Sequence, residues 1–111
     1  MKLFLIFISI MLFSMSLHAQ KIYSVQYESQ ADIKVFVVKY ESQADITVYK
    51  VKYESQARGN KGLWFFVKYE SQADKKIYFV DYESQADLKI YFVEYESQAG
   101  WRTKSLMQML Y

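Results

Sequence analysis

The one recurring acid and hydroxyl constellation in the chain is the dipeptide Glu-Ser, found at Glu28-Ser29, Glu41-Ser42, Glu54-Ser55, Glu70-Ser71, Glu83-Ser84 and Glu96-Ser97. A serine nucleophile needs a base held beside it, usually His or Lys, to take its proton. The single histidine is His18, near the N-terminus, and no base recurs in step with the six pairs. Six equal copies suit a structural task instead, in which Ser and Gln side chains bond backbone groups left unpaired at a corner. Asp32, Asp45, Asp74 and Asp87 are the next candidates, since a ring of carboxylates would suit a hard cation such as calcium. Their spacing has neither the dense alternation nor the glycine turn of a calcium loop, so they are expected to be solvated turn residues. With no Cys in the chain, thiol and disulfide chemistry are excluded. No base, metal cluster or phosphate-cradling loop is assembled, so the expectation is no enzyme, no cofactor and no metal.

Every Glu-Ser pair lies inside a pentapeptide, Tyr-Glu-Ser-Gln-Ala, that begins at Tyr27, Tyr40, Tyr53, Tyr69, Tyr82 and Tyr95. Successive Tyr are 13, 13, 16, 13 and 13 residues apart, the long interval holding a three-residue insertion in Arg58-Gly59-Asn60-Lys61-Gly62. Two residues before each Tyr there is always Val (Val25, Val38, Val51, Val67, Val80, Val93), and four before it an aromatic (Tyr23, Phe36, Tyr49, Phe65, Tyr78, Tyr91). Spacing by two puts these three on one face of a strand, because successive side chains alternate. That face is predicted to be the dry one, and the polar residue just before each Tyr to lie on the wetter side. Strands are predicted over 21–27, 34–40, 47–53, 63–69, 76–82 and 89–95. Thirteen is odd, so each repeat needs a corner that shifts the alternation. Either the Ser-Gln-Ala-Asp stretch or a bulge at an apolar pair such as Ile77-Tyr78 would serve. The corners lack Gly and Pro outside the insertion and Gly100. Tight hairpins are therefore disfavoured, and bends at negative φ fit better. Nor is a repeat this short able to carry the usual crossover between neighbouring parallel strands, so sequential strands should lie on different faces of a wound or closed structure. The recurrent Ala after each Gln suggests close approach of another segment or simply a tight turn.

Of the 111 residues, Met1 to Ala19 read as a secretory leader: Lys2, an apolar run from Leu3 to Leu17, and a small residue before Gln20. The remaining 111 − 19 = 92 residues suffice for one domain, 20–111, exported to the periplasm or beyond the cell. The apolar run is short of the ~20 residues of a membrane span and is interrupted by serines. No membrane insertion is expected once the leader is cut. Removing Lys2 lowers the net charge from +2 to +1, too little for a nucleic-acid binder that tracks phosphates. Hydrophobic residues make up 52% and aromatics 19%, which excludes ordinary disorder and favours packed strands.

The recurring Val-x-Tyr-Glu-Ser-Gln-Ala-Asp unit, the single glycine-containing insertion before Leu63-Trp64, and the ending Ala99-Gly100-Trp101-Arg102 resemble the septoil-knot domain family. That resemblance covers roughly Lys21 to Tyr111. It implies an all-β domain of unknown function, a closed quasi-symmetric toroidal winding of 13-residue repeats whose backbone forms a deep torus knot with seven crossings. The knot comes from the resemblance alone; the repeats by themselves imply a closed β winding that hides aggregation-prone edges such as Ile77–Val80. Functionally, an exported structural or interaction protein with a partner in the cell envelope or outside the cell is the leading expectation. A glycan- or peptide-binding module at the inserted loop is the alternative, with Arg58, Asn60, Lys61 and Trp64 as candidate binding residues, because this loop alone is not averaged over the copies. Repeated Ser-Gln strands also resemble curlin-type repeats superficially, which gives a third expectation of an amyloid-forming adhesin. The tail from Gly100 to Tyr111 is predicted to form a short helix, with Leu106, Met109 and Leu110 docking it on the last strand.

Overall fold

A computed structural model of the chain describes residues 20–111, so the leader assigned to Met1–Ala19 lies outside the described residues. Seven strands follow one another: β1 (Lys21–Ser24), β2 (Ile33–Val37), β3 (Ile46–Lys50), β4 (Leu63–Phe66), β5 (Lys75–Phe79), β6 (Leu88–Phe92) and β7 (Gly100–Trp101). Each of β1 to β6 leads into a 3-10 turn made of Glu-Ser-Gln, and a last 3-10 helix spans Lys104–Leu110. The strands hydrogen-bond in the order β4-β1-β5-β2-β6-β3-β7, and β3 also pairs with β4. Six strands thus close into a ring, all parallel, with β7 added antiparallel to β3.

The register explains how so short a repeat makes parallel neighbours. Ile77 stands opposite Ser24 on β1 and opposite Ile33 on β2. The same holds for Ile90 between Val37 and Ile46, for Val35 between Phe79 and Leu88, and for Ile22 between Phe66 and Lys75. The end of one strand and the start of the next are therefore level, separated only by the strand between them. A connection has to span two strand spacings, roughly 10 Å, and not return along the strand. It does so by passing over that middle strand: the turn Glu28–Gln30 lies against β5, Glu70–Gln72 against β1, Glu83–Gln85 against β2 and Glu96–Gln98 against β3.

Each corner is built without left-handed backbone. The Tyr is extended (Tyr27 φ −124, ψ 137), the Gln N–H donates to the Tyr carbonyl, and the Ala N–H donates to the Glu carbonyl. Among the described residues, positive φ occurs only at Gly59 and Gly62. Gly62 is obligatory there, since a Cβ would sit 2.3 Å from the Thr47 carbonyl oxygen. The 3-10 turn is also where the alternation shifts; Ile77-Tyr78 is regular strand.

The dry face differs from the sequence-based expectation. Strands stop three residues before the Tyr, and all six Tyr are exposed, from 63% at Tyr27 to 68% at Tyr82. The barrel interior is lined by the opposite set, five and seven residues before each Tyr. Ile22, Val35, Val48, Trp64, Ile77 and Ile90 are wholly buried, joined by Ile33, Ile46 and Leu88. The Val and aromatic positions are on the outer face; the expected burial holds there for Val25, Val38 and Val51, while the other three Val and the six aromatics are half-buried. Val51 packs there with Ala57, Leu63, Tyr49, Phe65 and Ala99. The recurrent Ala is thus a contact of close approach, buried outright at Ala44 and Ala57. The polar residue before each Tyr is exposed as expected, but it lies past the strand's end and so says nothing about the interior face.

Truncating an interior residue leaves a cavity, whereas truncating a corner Tyr removes surface. Ile77→Ala is expected to cost about 2–5 kcal/mol, and Tyr82→Ala no more than about 0.5 kcal/mol, measured by urea unfolding. Equal losses at the two positions would contradict the assignment of the interior.

Candidate functional site

Two places gather polar side chains: the corners, and the end of the barrel where the strands start. At the corners the Asp residues are structural clamps. The Asp32 N–H donates to the Lys76 carbonyl at 2.8 Å while the Lys76 N–H donates to Asp32 Oδ2 at 2.9 Å. Asp45 with Lys89, Asp74 with Lys21 and Asp87 with Lys34 repeat the pattern. Each carboxylate extends a ladder onto the neighbouring strand, so the four serve separate strands and do not gather into a ring. No group of three metal-ligating side chains occurs among the described residues. The lysines of these clamps reach corner glutamates, as in Lys34 Nζ to Glu28 at 3.5 Å and Lys76 Nζ to Glu70 at 3.5 Å. Exposed pairs of this kind contribute little, ~0–1 kcal/mol each. Gln56 and Gln98 accept from the N–H of their own Tyr53 and Tyr95. The side-chain capping expected of Gln is therefore present in these corners.

Where the ring closes, the repeat is broken. Gly100 stands in the Asp position, and Thr47 replaces the clamped Lys, its hydroxyl donating to the carbonyls of Gln98 (2.8 Å) and Gly100 (3.1 Å). The four candidate binding residues part company here. Arg58 is exposed and donates from Nε to the Ser55 carbonyl, and Lys61 is exposed. Asn60 turns inward: its Nδ2 donates to the Met107 carbonyl at 2.7 Å, and its Oδ1 and carbonyl accept from Trp101 Nε1 at 3.0 Å. Trp64 is wholly buried in the barrel, edge-on to Phe66 at 6.1 Å, so it offers no surface to a ligand at the loop. An insertion followed by an aromatic looks like a surface loop in sequence; the repeat's phase, which puts Trp64 in register with Ile22 and Ile77, was the available signal of burial.

Sequence inspection missed Gln20. One residue ahead of the Lys21–Phe65 pair, it faces Trp64 across the ladder, is buried, and donates from Nε2 to the Leu110 carbonyl at 2.8 Å. The helix Lys104–Leu110 therefore caps the barrel at the strands' starting end, with Leu110 buried and Leu106 and Met109 packed on the core. Its predicted helical character holds, in the tighter 3-10 form. Gln20 Oε1 and Trp64 Nε1 are buried without a partner among the described residues, a cost of about 1–3 kcal/mol each. At the opposite end the mouth is apolar and wetter, with Val37 and Phe79 partly exposed and Lys50 Nζ 4.4 Å from the Phe92 ring centre.

The winding of corners over strands meets its counterpart in sequence comparison: residues 19–102 match the model of the 7(1) septoil knot domain. The chain belongs to the septoil knot domain family. The family is a structural domain of unknown function. No curated protein and no solved structure matches the chain. The match ends at Arg102, so the helix over the barrel of this septoil knot domain falls outside the matched residues.

Asp45 does more than its three counterparts, since Oδ1 also accepts from the Thr103 hydroxyl at 2.9 Å. Asp45→Ala is expected to cost about 2 kcal/mol against about 1 kcal/mol for Asp32→Ala, one hydrogen bond apart, by thermal or urea unfolding. An equal cost would mean that the Thr103 contact contributes nothing.

Proposed function

We propose that this septoil knot domain is an exported, non-enzymatic structural or interaction protein whose contact surface is the set of repeated corners. The observation that carries this is the exposure of Tyr27, Tyr40, Tyr53, Tyr69, Tyr82 and Tyr95 in a position that never varies among the six copies. A large aromatic held in every copy is not being retained for packing in the barrel, and Tyr is the residue type most at home in contact surfaces, apolar in its ring and polar at its tip. Each corner adds Glu, Ser and Gln beside the ring, all exposed. Convex sites of this kind bind weakly one at a time and strongly together, because attachment of one raises the local concentration of the rest. The closed barrel supplies a rigid frame without disulfides, suited to the cell envelope or the space outside it.

Export rests on the leader sequence. The protein recovered from outside the cytoplasm is expected to have the mass of a chain starting at Gln20; recovery only of a chain that retains Met1–Ala19 would refute cleavage. For the corners, the purified domain on an array of glycans and peptides is expected to give a signal that falls about tenfold or more when three of the six Tyr are changed to Ser. The fold should be retained in that variant, as judged by circular dichroism and sedimentation. An undiminished signal would remove the corners from the binding surface, and the absence of any signal would leave a structural role alone.

A further inference from the structure

We propose that the barrel end lined by Gln20, Asn60, Trp64 and Trp101 is a peptide-binding site, filled by the chain's own Lys104–Leu110 and able to take that segment from a second copy instead. Two side-chain amides from distant parts of the chain, Gln20 and Asn60, donate to main-chain carbonyls of Leu110 and Met107. These carbonyls are three residues apart, one turn of a 3-10 helix. Between them the site reads backbone spacing and an apolar face, with Leu110 buried and Leu106 and Met109 packed against the core. The Leu110 carbonyl, last in the helix, has no partner within it, so it is a natural target for a side chain outside. Nothing in these contacts depends on the segment's being covalently attached.

The barrel is complete without the segment. The β3–β4 pairing closes the ring, and the family match stops at Arg102. Thr103 and Arg102 are anchored by their N–H groups to the Asp45 carbonyl, so the segment pivots after a fixed point. With the site filled, Gln20 Oε1 and Trp64 Nε1 have no partner among the described residues. Release of the segment lets water reach both, which offsets part of the loss of Leu110 burial and makes opening accessible. A second copy's segment makes the same contacts and competes against a tethered one whose effective concentration is about millimolar. Exchange is therefore slight in dilute solution and grows when the tethered segment is weakened.

The test uses the full chain carrying Leu110→Ala, with a fluorescent synthetic peptide of residues 103–111 standing for the second copy's segment. Uptake is expected by the Leu110→Ala chain, at an affinity about tenfold or more above that of the unchanged chain, and it should weaken several-fold when Asn60→Ala is added. A folded Leu110→Ala chain that takes up no peptide at millimolar concentration overturns the proposal. Should Leu110→Ala fail to fold, hydrogen exchange on the unchanged chain decides. Amides of residues 106–111 exchanging well ahead of those in β1 to β6 support a separable segment, and exchange only together with the strands refutes it.

Discussion

The architecture depends on the buried residue five positions before each Tyr, aliphatic in every copy except at Trp64 and paired on both edges at once in four of them. Ile77 has the end of β1 on one side and the start of β2 on the other, and Ile22, Val35 and Ile90 repeat that arrangement. From this register the rest follows. Consecutive strands other than β3 and β4, which pair directly, meet level across a third, so the connecting chain has only to step over that strand. That step, repeated around a ring that closes, is what winds the backbone around itself. The rarity of knots is overcome here by repetition, since one locally favourable crossing is copied and no single long threading is required.

Hydrogen bonding holds the same register. The Val two residues before each Tyr donates its N–H across the junction, as in Val25 to Ile77, Val38 to Ile90 and Val80 to Val35. Four Asp carboxylates then carry the ladder past the strand's start to a Lys N–H. The Val bond fastens the end of one strand and the Asp pair the start of the next, so the crossing corner is tied on both sides. A segment of Glu-Ser-Gln in a 3-10 turn is adequate between two such ties, with the Ala leaving room for the strand beneath.

Much of this was legible in the sequence, and the reason for the remainder is specific. Period thirteen, the closed winding and the negative-φ corners follow from residue types and spacing, and the close approach at Ala44 and Ala57 is one of the two readings the recurrent Ala allows. The interior face was misassigned because Phe36, Val38 and Tyr40 do share one side of an extended chain, and three apolar types at that spacing look like a core. What sequence cannot display is that the corners of other repeats cover that side only as far as the Val, leaving Tyr40 in water while Ile33 and Val35 fill the barrel. The candidate binding loop failed for a related reason: Trp64 follows an irregular stretch, but the strand after it resumes the repeat's phase and turns the indole inward. Gln20 was invisible because its role is set by a partner ninety positions away.

Six nearly identical segments carry a hazard, since a strand shifted by one whole repeat would find the same partners. The largest departures from the repeat remove that degeneracy, and they gather on one seam. The three-residue insertion, Gly62 pressed on the Thr47 carbonyl, Thr47 in place of a lysine, Gly100 in place of an aspartate, and Trp101 held by Asn60 lie where β3, β4 and β7 meet. Only one copy can occupy each place there. The same seam carries Gln20 and the helix that covers it. The molecule thus divides its surface by symmetry: what is repeated, the six Tyr corners, can act only as a set, whereas what is unique, the seam and the barrel end beside it, can hold a single partner in a single orientation.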